Sequence, residues 1–153
     1  MDIGDAAPAF ALSTDGGGTA SLAALDGRKI VLYFYPKDDT PGCTTEAIAF
    51  TALKDGFAAA DTTVIGVSKD SVASHAKFRA KHSLSIDLAA DPEGSVVEAY
   101  GTWVEKSMYG KKYMGIDRAT FLIDRDGKLA AVWRKVKVPG HAEAVLEAAQ
   151  ALA

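Results

Sequence analysis

The chain has 153 residues, 48% of them apolar or aromatic and 24% charged, with a net charge of −3. That length fits a single domain spanning residues 1–153 with its own core, and those fractions are ordinary for a soluble globular chain. No apolar run approaches the ~20 residues of a membrane span, no basic stripe with interleaved aromatics marks a nucleic-acid surface, and the Met1–Asp5 start lacks the basic-then-apolar pattern of a signal peptide.

The elements follow in chain order. Ala9–Leu12 reads as a short strand, and Gly16-Gly17-Gly18 as a turn without the lysine of a phosphate loop. Ser21–Leu25 reads as one helical turn. Ile30–Tyr35 is a run of β-branched and aromatic residues, the pattern of a buried strand starting at Lys29. Pro36 cannot donate to a strand ladder and ends it. Thr40-Pro41 fits an N-cap followed by proline at the first helical position. Ala47, Phe50, Leu53 and Phe57 then recur at spacings of three and four, one apolar helix face. Thr63–Ser68 is a second buried strand, and Ser71 caps a helix reaching about Lys81. Asp87–Ala90 is a weak strand, and Asp91-Pro92-Glu93 opens a short helix ending at Tyr100. Ala119–Ile123 and Leu129–Trp133 pair across the Asp126-Gly127 turn. Pro139-Gly140 leads into a last helix with Val145, Ala149 and Leu152 on one face. This βα alternation ending in a hairpin predicts an α/β fold, a mixed sheet with helices on both faces.

Cys43, the only cysteine, is the strongest functional signal. A structural cysteine sits among apolar residues as a small hydrophobe. This one follows a polar, Pro/Gly-punctuated turn and falls at the third position of a helix. The partial positive charge there favours a thiolate, the nucleophilic form. A strand–loop–helix junction is also where an open α/β sheet places its ligand crevice. One cysteine forms no internal disulfide, which fits a reducing compartment and a cytoplasmic location.

Pro36-x-x-x-Thr40-x-x-Cys43 resembles the signature of the peroxiredoxins. The string Tyr33-Phe34-Tyr35-Pro36-Lys37-Asp38-Asp39-Thr40-Pro41-Gly42-Cys43-Thr44 is similar to their Q-type branch, also called bacterioferritin comigratory protein. A second block, Tyr100-Gly101 and Trp103 through Ile116, then Arg118 and Thr120-Phe121-Leu122-Ile123-Asp124, agrees with it. The resemblance implies a thioredoxin-like three-layer α/β/α sandwich with a central mixed β-sheet. It also implies reduction of hydrogen peroxide and organic hydroperoxides by a cysteine thiolate.

On that resemblance Cys43 is the peroxidatic cysteine, Thr40 contacts thiolate and peroxide, and Arg118 pairs with the thiolate and polarises the peroxide. Pro36 shields the sulfur, Gly42 belongs to the same supporting turn, and Glu46 orients Arg118. Alone, these residues have plainer readings: an N-cap for Thr40, a surface ion pair with Asp117 for Arg118, a strand stop for Pro36 and a first-turn acid for Glu46.

The chain departs from the family at the partner cysteine. Ile48 stands where many Q-type members carry a resolving cysteine, and the helix after Ser71 has none. An external thiol must therefore resolve the sulfenic acid: thioredoxin, glutaredoxin, glutathione, or a second copy of the chain. The expected state is a monomer or weak dimer, with a Cys43–Cys43 disulfide dimer on oxidation. The alternative is a redox-sensing binding protein in which Cys43 oxidation switches a partner. His75, His82 and His141 read as surface residues rather than ligands, and Arg134–Lys137 as solvated surface. No cofactor, metal, nucleic-acid or membrane partner is expected.

Overall fold

The computed structural model describes residues 1–153. Its elements are β1 (Ala11–Thr14), β2 (Thr19–Ser21), a 3₁₀ turn (Ala23–Leu25), β3 (Lys29–Phe34), α1 (Pro41–Ala52), α2 (Lys54–Ala59), β4 (Thr62–Ser68), α3 (Val72–His82) and β5 (Asp87–Ala90). They continue with α4 (Ser95–Ala99), β6 (Trp103–Met108), β7 (Lys111–Ile116), β8 (Ala119–Ile123), β9 (Leu129–Trp133) and α5 (His141–Ala151). Seven strands form one mixed sheet in the order β2-β1-β5-β4-β3-β8-β9, and β6 and β7 form a separate ribbon. β3 pairs in parallel with β4 and antiparallel with β8, so it lies inside the sheet.

Successive side chains of a strand point to opposite faces, and β3 is buried on both. Ile30, Leu32 and Phe34 join Ile65, Val67, Val97, Tyr100 and Phe121 in one core. Val31, Tyr33 and Tyr35 join Cys43, Ala47, Phe50, Phe57, Phe78, Val145 and Ala149 in the other. Helices α1, α2, α3 and α5 therefore cover one face, with α4 on the opposite face. The buried Lys29 ammonium ties the last helix down, donating to the carbonyls of Ala149 (2.6 Å) and Leu152 (2.8 Å) at its C-terminal end, where unpaired carbonyls favour a cation.

Several elements differ from the sequence reading. The first strand is Ala11–Thr14 rather than Ala9–Leu12, and it pairs through the glycine turn with β2, too short to show a period. The apolar face from Ala47 to Phe57 is carried by two helices that break at Leu53. The β6–β7 ribbon was not anticipated. Its central residues, Glu105, Lys106 and Ser107, give no buried alternation. Its turn residues Tyr109 and Gly110 both take positive φ (53° and 78°), the geometry of a two-residue hairpin loop.

Gly66 of β4 faces Tyr33 of β3 directly in register. A Cβ on Gly66 would lie 2.7 Å from Tyr33 Cζ and 2.8 Å from its hydroxyl. The ring has no free direction, because it stacks on Phe50 at 4.6 Å between centroids. The glycine is what admits a tyrosine under α1. Gly66→Ala is expected to lower the unfolding free energy by about 1–3 kcal/mol, the scale of overpacking a filled core. Urea denaturation checks this, and an unchanged midpoint would contradict it.

Candidate active site

The site forms where β3 hands over to α1. Tyr35 still donates its amide to Val67, and Pro36 then leaves the sheet. Asp39 takes a left-handed conformation (φ 58°), and Thr40 is extended (φ −96°, ψ 155°) ahead of Pro41 at the first helical position. Cys43 comes on the first turn and is 1% exposed. The amides of Gly42 and Cys43 lie before any helical carbonyl can reach them, so they are donors aimed out of the helix start.

Arg118 reaches this point through strand order. β8 runs antiparallel to β3, with Ala119 opposite Phe34, so the residue entering β8 lies beside the exit of β3. Nη2 of Arg118 donates to Cys43 Sγ at 3.4 Å, and Nη1 donates to Glu46 Oε1 at 2.6 Å. Glu46 stands one helical turn from the cysteine, and both it and Cys43 are buried. A Cβ on Gly42 would come within 3.1 Å of Arg118 Nη2, so the glycine lets the guanidinium lie against the helix.

The electrostatics follow from burial. Desolvation pushes the Glu46 carboxyl up to about 7, against the pull of Arg118, and its Oε2 meets no donor of the chain. Burial works against the Arg118 charge, but Glu46 and Cys43 together hold it above its ordinary range. Tyr33 lies beneath. Burial and then the Glu46 and Cys43 charges raise its phenol well above the usual value, and its hydroxyl also lacks a partner.

The structure thus brings Cys43, Gly42, Glu46 and Arg118 together and adjusts the remaining assignments. Arg118 pairs with Glu46 rather than with Asp117. Thr40 occupies the N-cap position but makes no side-chain cap; its hydroxyl donates to the Lys37 carbonyl at 2.8 Å. Pro36 is exposed at the turn, while the sulfur packs in the core that contains Tyr33, Tyr35 and Phe50.

The histidines are not surface residues as a group. His75 is wholly buried against Asp38, and His141 is buried with Nε2 2.8 Å from Thr120 Oγ1. His82 is partly exposed and pairs with Asp39. Burial, then Arg118, lower His141 to about 4. Sequence reasoning missed Thr120 and His141. The signal for Thr120 was its spacing of two from Arg118, which puts it on the face of β8 that the arginine enters; nothing local marked His141.

The sequence matches the AhpC/TSA family over residues 3–132. It is 50% identical to peroxiredoxin Bcp of Bacillus subtilis, over 99% of this chain and 95% of that protein. It is 49% identical to a putative peroxiredoxin bcp of Coxiella burnetii, over 95% of this chain and 97% of that protein. The chain is a peroxiredoxin of the AhpC/TSA family. Among solved structures, the bacterioferritin comigratory protein of Xanthomonas campestris, studied for alkyl peroxide reduction, superposes with a TM-score of 0.88 at 46% identity, covering 93% of this chain and 90% of that one. A peroxiredoxin Q variant of Xylella fastidiosa gives 0.93 at 41% identity, covering 99% and 96%. The fold is accordingly the thioredoxin-like peroxiredoxin fold, and the activity class is that of a thiol-dependent peroxidase. Two variants of the Xanthomonas peroxiredoxin Q each replace a different cysteine with serine; this chain has Cys43 alone.

Glu46 and His141 give opposite pH signatures. Folding raises the proton affinity of Glu46. It therefore adds stability that is full below about 4.5 and is lost as pH rises through about 7. Folding lowers that of His141, whose contribution is present above 6.5 and is lost as pH falls toward about 4. In Glu46→Gln the first signature disappears and the second stays. The stability of the parent relative to this variant should fall as pH rises from about 4.5 to about 7, by up to about 1.4 kcal/mol per pH unit. Urea titrations at a series of pH values measure this difference, and a flat difference would contradict the assignment.

Proposed function

We propose that Cys43 is the peroxidatic nucleophile, with Arg118 and Thr40 completing the catalytic group and Glu46 and Gly42 holding Arg118 in place. The observation that carries this reading is the single guanidinium that donates to both Cys43 Sγ and Glu46 Oε1. The Cys43 thiolate attacks the near oxygen of ROOH. An S–O bond forms, the O–O bond breaks, and RO⁻ leaves and takes up a proton, giving Cys–SOH and ROH.

Charge moves from sulfur to the departing oxygen, so the useful groups are donors fixed before reaction. Arg118 and the first-turn amides of Gly42 and Cys43 are those donors. Thr40 has the opposite polarity. Its proton is committed to Lys37, so toward a peroxide its oxygen accepts, orienting the O–H of the oxygen under attack. Thiol ionisation is the smaller part of catalysis. A free thiol is already about 3% ionised at neutral pH, so full ionisation gains only about thirtyfold.

An external thiol recycles the enzyme, since no second cysteine exists. Thioredoxin, glutaredoxin and glutathione are the candidate donors, acting in the cytoplasm on a single-domain chain that is a monomer or weak dimer. Support for an external donor is the sequence itself. Peroxide consumption with each donor system supplied separately decides among them. Fast oxidation of Cys43 with turnover by none of the three would favour the sensor alternative.

Cys43→Ser is expected to abolish peroxide consumption with the fold intact. Arg118→Ala should slow Cys43 oxidation by about 10²-fold, the scale for losing a preorganised donor. Thr40→Val should slow it similarly and Thr40→Ser only mildly, because the hydroxyl is retained. Stopped-flow oxidation rates paired with melting temperatures test the set. Unchanged kinetics in Thr40→Val would leave Thr40 a purely structural role.

A further inference from the structure

The most extensive polar cluster outside the reacting group lies in the loop that carries Thr40. Asp38 is 7% exposed, although it sits between Lys37 and Asp39 in a surface turn. Its Oδ1 accepts from the Tyr35 hydroxyl at 2.6 Å. Its Oδ2 accepts from Ser74 Oγ at 2.8 Å and faces His75 Nδ1 at 2.7 Å. Its amide donates to Asp70 Oδ2 at 2.9 Å, and Asp70 in turn accepts from Ser68 Oγ at 2.6 Å. The other nitrogen of His75 faces the Ala89 carbonyl at 3.0 Å. Both ring nitrogens of His75 thus face an oxygen within hydrogen-bond distance, so the imidazole is held at both ends. These bonds join the loop to the ends of β3 and β4, to α3 and to β5.

We infer that Asp38, with Ser74 and His75 of α3, forms the latch that positions the Lys37–Thr40 loop, and that release of this latch admits the resolving thiol. The inference rests on Cys43 being the residue that an external thiol must reach. With Cys43 1% exposed, a second sulfur cannot approach along the S–S axis while the first turn of α1 is closed. The step Cys–SOH + R′SH → Cys–S–S–R′ + H₂O forms one S–S bond, breaks the S–O bond and leaves as water. It needs that turn to open. α1 begins at Pro41, directly after the latched loop, and its first turn has no side-chain cap of its own. The bonds to α3 are therefore the restraint to be broken. The second aspartate, Asp39, meets Lys81 and His82 of the same helix only in exposed pairs, which contribute little.

If opening is a minor, locally unfolded state, weakening the latch multiplies access in proportion to its population. Ser74→Ala removes one hydrogen bond at a half-buried position. It is expected to raise alkylation of reduced Cys43 by iodoacetamide about fivefold, and resolution of the sulfenic acid by glutathione by a similar factor, the scale of one ordinary hydrogen bond. Oxidation by peroxide should not rise, and Ser74→Thr, which keeps the hydroxyl, should restore parental access. Asp38→Asn, which keeps the shape and alters the proton inventory, should raise access at least as much. Ile123→Val, in the core of β8, serves as a variant of comparable stability loss away from the loop. Access unchanged in Ser74→Ala, or raised equally in Ile123→Val, would overturn the latch. Alkylation needs no peroxide chemistry, so its result stands apart from the peroxidase assignment.

Discussion

The arrangement depends on one partly buried guanidinium. Arg118 enters the site at the start of β8, meets Cys43 and Glu46 from α1, and donates a hydrogen bond to each. Its place follows from the antiparallel pairing of β8 with β3. The same β3 delivers the loop and helix that hold the sulfur. Two strands adjacent in the sheet but far apart in sequence thus bring thiol and guanidinium together without either residue being on a long flexible segment. Neighbouring features serve that contact. Gly42 clears the guanidinium, Glu46 fixes one of its nitrogens, and the His141–Thr120 pair fills the same face of β8 with a group kept neutral by burial.

Burial cuts both ways here. Removing Cys43 and Glu46 from water strengthens each interaction with Arg118, but it also charges a desolvation penalty that Glu46 does not recover through one oxygen. Glu46 is therefore poised near neutrality. Whether its proton is present changes how firmly Arg118 is held, while the guanidinium itself stays charged. Tyr33 shows the same tolerance of an imperfect polar fit. It is a tyrosine stacked under the site with an unpartnered hydroxyl, accommodated because the facing residue is Gly66.

Much of this was legible in the sequence, for identifiable reasons. The buried strands β3, β4 and β8 announced themselves as short runs rich in apolar and β-branched residues, and Thr40-Pro41 marked the start of α1. Ser71 predicted its cap, and its hydroxyl does accept from the Ser74 amide. What stayed hidden was long-range or weakly periodic. The β6–β7 ribbon has an exposed polar centre, so no alternation betrayed it. Thr40 looked like a capping side chain, but its hydroxyl is turned to donate to a carbonyl three residues back, and its oxygen takes no first-turn amide. His75 looked like a surface residue because nothing in the local string of α3 shows that Asp38, far back in the chain, will lie above it. Pairing of buried polar groups is a tertiary fact, and single-sequence patterns carry little of it.

The single cysteine sharpens what the closed site must give up. Cys43 faces the core, and Ile48, five residues on along the same helix, is 45% exposed. The two positions look in different directions from one rigid rod, and α-carbons five residues apart in a helix lie about 9 Å apart. A sulfur at either the helix surface or a partner's surface therefore meets the same obstacle, because geometry for an S–S bond requires α-carbons within about 7 Å and facing Cβ vectors. Whether the thiol comes from within the chain or from outside, the first turn of α1 has to open. Losing the second cysteine thus removes the tethered attacker but not the conformational step. On the proposed chemistry, what changes is kinetic order: each opening event must coincide with an encounter, so the lifetime of a Cys43 sulfenic acid would depend on the concentration of the external thiol.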